Sequence, residues 1–214
     1  MNDKNWLEYW VDPQTWEFRG DFEGIVSDFD DPWNCRERIN SLERKVLTTM
    51  ASYEKHDFIL DVGCGLGVYT ELLRRTTRAE KAVGIDVSPT AVEKAAKINP
   101  YYEFKVVDLM KDQLSFSPKS FSLIVVTEVL WYVLPKLKDI FTGLHGILKD
   151  NGVLLVEQYF PADQKFGLDY LDSPEMLETK YLIPAGYEIS TRIDYKENGE
   201  TVAIFKCKKT QSAN

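Results

Sequence analysis

The rhythm of apolar positions changes at residue 58 and divides the chain into two unlike stretches. Before it, little alternates with period two. Ile39, Leu42, Val46, Leu47 and Met50 recur at spacings that gather on one helical face, which predicts a helix over 36–50. The residues ahead of it read as short helices and loops draped over another surface, with Trp6, Trp10, Trp16 and Trp33 as anchors.

From residue 58 onward, short apolar runs alternate with amphipathic ones. Strands are predicted at 58–62, 82–85, 102–107, 121–127 and 153–158, and helices at 67–75, 88–98 and 136–149. Ser88-Pro89 is a helix start, with serine as cap and proline in the first turn, and Asn99-Pro100 closes that helix. Asp150-Asn151-Gly152 is taken as the stop of the helix over 136–149. Near-continuous apolar strands in a β-α-β-α order predict a parallel sheet covered on both faces.

The last stretch departs from that rhythm. Residues 174–185 read as a helix. Two β-rich runs, 187–195 and 201–208, flank Asn198-Gly199, a strong hairpin signal. The expected fold class is therefore α/β, a doubly wound sheet of seven strands, mostly parallel, ending in an antiparallel hairpin. Residues 1–57 form a helical cap or lid segment and residues 58–214 the core, together one domain.

Composition narrows the choice of function. With 214 residues, 44% hydrophobic and 28% charged, the chain has ordinary globular usage. A formal net charge of -8 disfavours nucleic acid, whose phosphates call for clustered Lys and Arg. No apolar run nears the roughly 20 residues of a bilayer span. Asp3, Glu8, Asp12 and Glu17 interrupt what a secretory leader would keep apolar, so a cytoplasmic location is expected. Cys35, Cys64 and Cys207 show no metal-ligand spacing, and with two histidines no metal site is expected.

The chemistry gathers around Gly63-Cys64-Gly65-Leu66-Gly67, a glycine turn between a strand and a helix. Glycines there let backbone approach a ligand. The third glycine falls one place earlier than in the dinucleotide pattern G-x-G-x-x-G. Asp61 just before the turn suits a cationic amino group better than a pyrophosphate. Asp86 and Asp108 end the next two strands, where one carboxylate can accept ribose hydroxyls and the other an exocyclic amine.

These residues resemble the class I S-adenosylmethionine (SAM) dependent methyltransferases over roughly residues 58–160. Residues 60–70 (LDVGCGLGVYT) resemble the family's first motif, 84–89 (GIDVSP) its acidic second strand and 106–109 (VVDL) its adenine loop. Residues 121–126 resemble its fourth strand and 148–154 the element before its fifth. The resemblance implies a Rossmann-like fold with SAM as cofactor and S-adenosylhomocysteine as product. It implies that Gly63, Cys64 and Gly65 line the methionine and ribose, Asp86 binds the ribose, Val87 flanks the adenine, and Asp108 with Leu109 addresses its edge.

Residues 127–133 (TEVLWYV), with Asp31-Pro32-Trp33 and residues 42–45 (LERK), are similar to the NodS-like small-molecule methyltransferases. The chain departs from that group at Glu157-Gln158-Tyr159, where the group tends to carry a histidine. Glu128 is expected to face the cofactor or accept a proton, and Tyr132 to hydrogen-bond the acceptor. Trp33 and Arg44 are expected to close over the cofactor's carboxylate. His56 and His145 are expected to have no catalytic part.

The expected activity is methyl transfer to N or O of a small molecule: a sugar, an amino sugar or a phosphorylated metabolite. Residues 1–57 and 159–173 would form the acceptor pocket, and Arg19, Arg36, Arg38 and Arg44 could meet an anionic acceptor. The expected partner is that small molecule, with no nucleic acid or membrane, and the expected state a monomer or homodimer. A nicotinamide-dependent oxidoreductase and a non-catalytic SAM-binding protein are the alternatives.

Overall fold

The computed structural model describes residues 5–210. Residues 1–4 and 211–214, with Asp3 among them, lie outside the described residues.

Four short helices come first: α1 (Leu7–Trp10), α2 (Phe22–Asp28), α3 (Cys35–Arg38) and α4 (Leu42–Ser52). They are followed by β1 (Phe58–Val62), α5 (Val68–Thr77), β2 (Lys81–Asp86), α6 (Pro89–Ile98), β3 (Glu103–Val106) and β4 (Phe121–Thr127). After two 3-10 turns come α7 (Leu137–Ile147) and β5 (Leu148–Phe160). A helical turn α8 (Pro174–Met176) runs into a wider π-type coil over Leu177–Leu182, and β6 (Tyr187–Glu197) with β7 (Glu200–Lys209) closes the chain. The sheet order is β3-β2-β1-β4-β5-β7-β6. The first five strands pair in parallel, and β7 runs antiparallel to both β5 and β6. This is the seven-stranded, mostly parallel sheet with an antiparallel end that the pattern predicts.

Successive side chains of a strand face opposite ways, and both faces of the central strands are covered. Leu60, Ile124, Val126, Leu154 and Val156 join one apolar cluster with Phe141 and Leu144 of α7. Ile59, Leu123, Val125, Val153 and Leu155 join the other, with Leu47 and Ala51 of α4 and Tyr69 and Leu73 of α5. The same parity sends Asp61 and Glu157 to the α4 and α5 side, at the carboxyl ends of their strands. Both are buried.

Three local expectations need correcting. The helix predicted over 36–50 is two helices, because the Ser41 hydroxyl accepts the Arg44 N–H and caps a fresh start. Arg44, Leu47 and Ala51 are its buried positions, and Leu42 is 56% exposed. The predicted helix over 136–149 ends at Ile147, since Leu148 is already extended and pairs with Phe121. Lys149 to Gly152 are therefore the irregular start of β5 rather than a helix cap. The helix expected over 174–185 is α8 and the π-type coil. Ser88 does cap α6, by accepting the Ala91 N–H at 3.0 Å. Asn198 and Gly199 both take positive φ, at 51° and 84°, as a two-residue hairpin turn requires.

The N-terminal segment lies across the carboxyl ends of the parallel strands. Glu23 of α2 accepts the Ser88 and Thr90 hydroxyls at 2.5 Å each, and the Lys94 ammonium donates to the Val26 carbonyl at 2.7 Å. Trp33 reaches over to Tyr132, in the first 3-10 turn after β4.

Candidate functional site

The glycine turn leaves β1 and folds back over the end of β2. The amides of Gly63 and Cys64 both donate to the Ile85 carbonyl, at 2.8 and 2.9 Å. Gly63 and Gly67 have φ of 72° and 70°, a region L-residues enter only with strain. A Cβ at Gly63 would lie 2.1 Å from the Val129 side chain, and one at Gly67 2.7 Å from the Phe104 ring. The loop therefore presents bare backbone toward the carboxyl end of the sheet, where a doubly wound fold takes its ligand.

Asp86 stands beside that loop. Its carboxylate accepts the Gly65 amide at 2.9 Å and the Ser88 amide at 3.0 Å, one on each oxygen. Each oxygen keeps a further lone pair for a hydroxyl. Burial raises its pKa against the lowering effect of those amides. Asp108 is more occupied: it accepts the Met110 amide at 2.9 Å and pairs with Lys111 at 2.9 Å. Asp61 is pushed up to about 6 by burial, against the Thr70 hydroxyl that donates to it at 2.6 Å and the nearby Arg44. The Cys64 thiol is pushed well above its ordinary range by burial, with Asp86 and Asp61 adding to the effect, so it stays a thiol.

These groups border one cavity of about 180 Å³. The expected cofactor and catalytic residues all reach it, whereas no residue of 159–173 lines it and Arg19 and Arg36 pair with Asp12 and Asp30 instead. Asp61, Gly63, Cys64 and Gly65 line one side, Asp86, Val87, Asp108 and Leu109 a second, and Glu128 and Tyr132 a third; Trp33, from the turn before α3, and Arg44 of α4 come from the N-terminal segment. The histidines lie elsewhere. His56 bonds to the Ala51 carbonyl at 2.9 Å, and His145 packs edge-on against Tyr187.

Tyr132 anchors the cap. Its hydroxyl accepts the Trp33 indole N–H at 3.1 Å, while Trp10 and Phe22 pack edge-on against its ring at 5.5 and 4.8 Å. Phe166, from the loop after β5, packs against Trp10. Burial raises the Tyr132 pKa, so the phenol keeps its proton.

Under Glu128 lies an ionic cluster built on the buried Arg44 and Glu157. Arg44 Nε is 3.3 Å from Glu157 Oε2, and the Arg44 guanidinium lies 4.6 Å over the Tyr69 ring. Arg38 Nη2 sits 3.7 Å from Glu128 Oε1, 3.8 Å from Glu157 Oε1 and 3.9 Å from Glu43 Oε1. Glu157 is wholly buried, yet neither of its oxygens receives a hydrogen bond from a described residue. Burial first, and the Glu157 carboxylate second, push the Glu128 carboxyl well above the usual carboxylate range. Glu128 also holds a left-handed φ of 59°.

Arg38 was expected only as a partner for an anionic acceptor, and Glu157, Tyr69, Phe22 and Cys35 were not among the expected site residues. For Glu157 a signal exists: it is a charged residue at an inward position of a strand buried on both faces, which demands a partner. Arg38 carries no such mark, because its place depends on the break between α3 and α4.

Comparison with known proteins agrees with the fold. Residues 60–156 match the family described as a methyltransferase domain. Over 121 residues, 55% of the chain, it is 28% identical to an erythromycin 3''-O-methyltransferase of Saccharopolyspora erythraea. Over 104 residues, 49% of the chain, it is 32% identical to a trans-aconitate 2-methyltransferase of Escherichia coli O157:H7. The matched stretches span 39% and 40% of those two relatives. The fold is shared with the N-methyltransferase NodS of Bradyrhizobium japonicum at a TM-score of 0.64 and 21% identity, over 86% of this chain and all of that one.

Proposed function

We propose that this chain, whose residues 60–156 match a methyltransferase domain, is a class I SAM-dependent methyltransferase that moves a methyl group from SAM to N or O of a small-molecule acceptor. The observation that carries the reading is the Asp86 carboxylate beside the bare glycine turn, each oxygen tied once to backbone and still able to accept a hydroxyl. The residues present fit the cofactor. Asp86 would hold the ribose, Val87 and Leu109 the adenine, and Asp108 its amine where Lys111 leaves room. Asp61 and the orphaned Nη1 of Arg44 have the charges to meet an amino and a carboxylate group.

When bound, SAM supplies an already electrophilic methyl group on a sulfonium. The protein's work is then alignment, exclusion of water and, where needed, removal of a proton. The Trp33–Tyr132 contact closes the cavity from the cap side, and the Tyr132 phenol, accepting from Trp33, still has its own proton to donate to an acceptor. Glu128 lines the same cavity as that phenol and is the carboxyl proposed to take a proton. Sugars, amino sugars and phosphorylated metabolites all suit a pocket with both aromatic walls and arginines. A single small acceptor, held without nucleic acid or membrane in a cytoplasmic monomer or homodimer, completes the reading. Among the described residues no helix is long and apolar enough to cross a membrane, and no group of His, Cys, Asp and Glu could hold a metal ion.

Calorimetry tests the proposal. S-adenosylhomocysteine and SAM should bind and NADH should not; binding of NADH alone would overturn it.

A further inference from the structure

The cluster beneath the cavity contains a carboxyl pair that cofactor binding alone does not explain. Thr127 of β4 pairs in register with Glu157 of β5, and the Glu128 amide donates to the Glu157 carbonyl at 3.1 Å. The two glutamates thus leave adjacent strands at the same level, one wholly buried and the other at the cavity wall. Two ionised carboxylates side by side repel, and burial makes that costly. Arg38 and Arg44 reach the pair but at 3.3 to 3.8 Å, and no N–H of a described residue forms a hydrogen bond to the Glu157 carboxylate. A proton between the two carboxyls is the simplest way to supply the missing bond.

The surroundings decide what could replace that proton. Glu43 and Arg44 approach on α4, Arg38 on α3, Asp61 on β1, Tyr69 on α5 and Tyr132 beyond β4. Tyr159, on β5 itself, is also within reach of Glu128. Against the two arginines stand Glu43, Asp61 and the pair, so a cation entering as the shared proton leaves would keep the local charge constant. Phe22, Trp33 and Tyr132 add aromatic surface to the same cavity, and aromatic faces attract cations.

We propose that Glu128 and Glu157 share one proton in the resting protein and that the methyl acceptor is a protonated alkylamine, which displaces that proton on binding. This rests on the methyltransferase reading above. The ammonium then returns one proton to the pair, leaving a neutral amine. The nitrogen lone pair forms the new bond to the methyl carbon, and the carbon–sulfur bonding pair stays on sulfur. The product is a methylated ammonium, with the pair again holding one proton. The raised proton affinity of Glu128 suits this exchange, since an ordinary carboxylate would leave an alkylammonium protonated. Glu157 touches neither substrate nor cofactor here; it is a positioning residue that raises the basicity of Glu128.

Infrared spectroscopy of the full chain at neutral pH tests the shared proton. A protonated-carboxyl band that shifts in heavy water should be present in the wild type and lost in both Glu128→Gln and Glu157→Gln. A wild type without the band, or a Glu157→Gln variant that keeps it, overturns the sharing. Calorimetry of the S-adenosylhomocysteine complex, in two buffers of different ionisation heat, tests the acceptor class with n-butylamine and n-butanol. Butylammonium should release about one proton and butanol none. No release with butylammonium, or equal release with both, overturns the amine assignment. Loss of the band on adding S-adenosylhomocysteine alone assigns the pair to the cofactor's own ammonium and also overturns it. The wild-type band and the proton count stand even if Glu157→Gln does not fold. Failure of S-adenosylhomocysteine to bind sinks the methyltransferase reading instead, and the heats separate the two.

Discussion

Arg44 of α4 and Glu157 of β5 meet 3.3 Å apart, both shielded from solvent, and join the N-terminal cap to the centre of the sheet. The ion pair ties the segment that covers the cavity to a central strand of the sheet. A buried pair of this kind is costly to break, because the surviving charge has nowhere to be solvated.

Arg44→Met should therefore destabilise the protein by about 3–5 kcal/mol in urea unfolding. Arg44→Met combined with Glu157→Leu should recover most of that loss, as an apolar pair often replaces a buried ionic one without penalty. A double variant as unstable as the single would mean that the arginine acts through other contacts.

Asp86→Ala should weaken S-adenosylhomocysteine binding by about 1–3 kcal/mol, the cost of leaving hydrogen-bonding groups unpaired. It also frees the Gly65 amide, so part of the loss will reflect a looser glycine turn. Calorimetry with unchanged affinity would remove Asp86 from the ribose site.

Gly67→Ala meets two penalties at once, a φ of 70° and a Cβ placed 2.7 Å from the Phe104 ring. A loss of at least about 1–2 kcal/mol is expected in chemical denaturation. Adding Phe104→Ala should relieve the collision and leave the backbone cost. A Gly67→Ala protein of wild-type stability would show that the turn has another conformation.

Tyr132→Phe removes the oxygen that accepts the Trp33 indole N–H. Stability should fall by about 0.5–1.5 kcal/mol and Trp33 fluorescence should shift, while S-adenosylhomocysteine affinity stays the same. A large loss of that affinity would place Tyr132 against the cofactor rather than the acceptor.

Asp61 gives a pH dependence with a definite sign. Its folded pKa, pushed up to about 6, exceeds the ordinary 3.8, so between those values the native state binds more protons than the unfolded one. Its share of stability is full below about pH 4 and is lost as pH rises through about 6. Asp61→Asn should flatten that fall relative to wild type. An unchanged difference between the two proteins across this range would refute the burial argument.

Much of the fold was legible because strand and helix announce themselves by local periodicity. The central strands are apolar on both faces, which only a covered parallel sheet permits, and Asn198-Gly199 fixed the closing hairpin. The glycine turn and its three aspartates could likewise be read in order, since each sits at the end of a strand where its position along the chain already sets its position in space.

What periodicity could not convey is contact between elements far apart in sequence. The chain broke its predicted helix at Ser41 because one hydroxyl caps a new start, and it drew Leu148 into the sheet because Phe121 needed a strand partner. The first puts Arg38 and Arg44 on separate helices, and the second belongs to the strand that carries Glu157. The sequence determined the strands, the turn and the carboxylates along the sheet's edge. Tertiary packing alone decided that Glu128 and Arg38 would gather over the buried Glu157 and Arg44, because the energy of buried charge depends on neighbours in space.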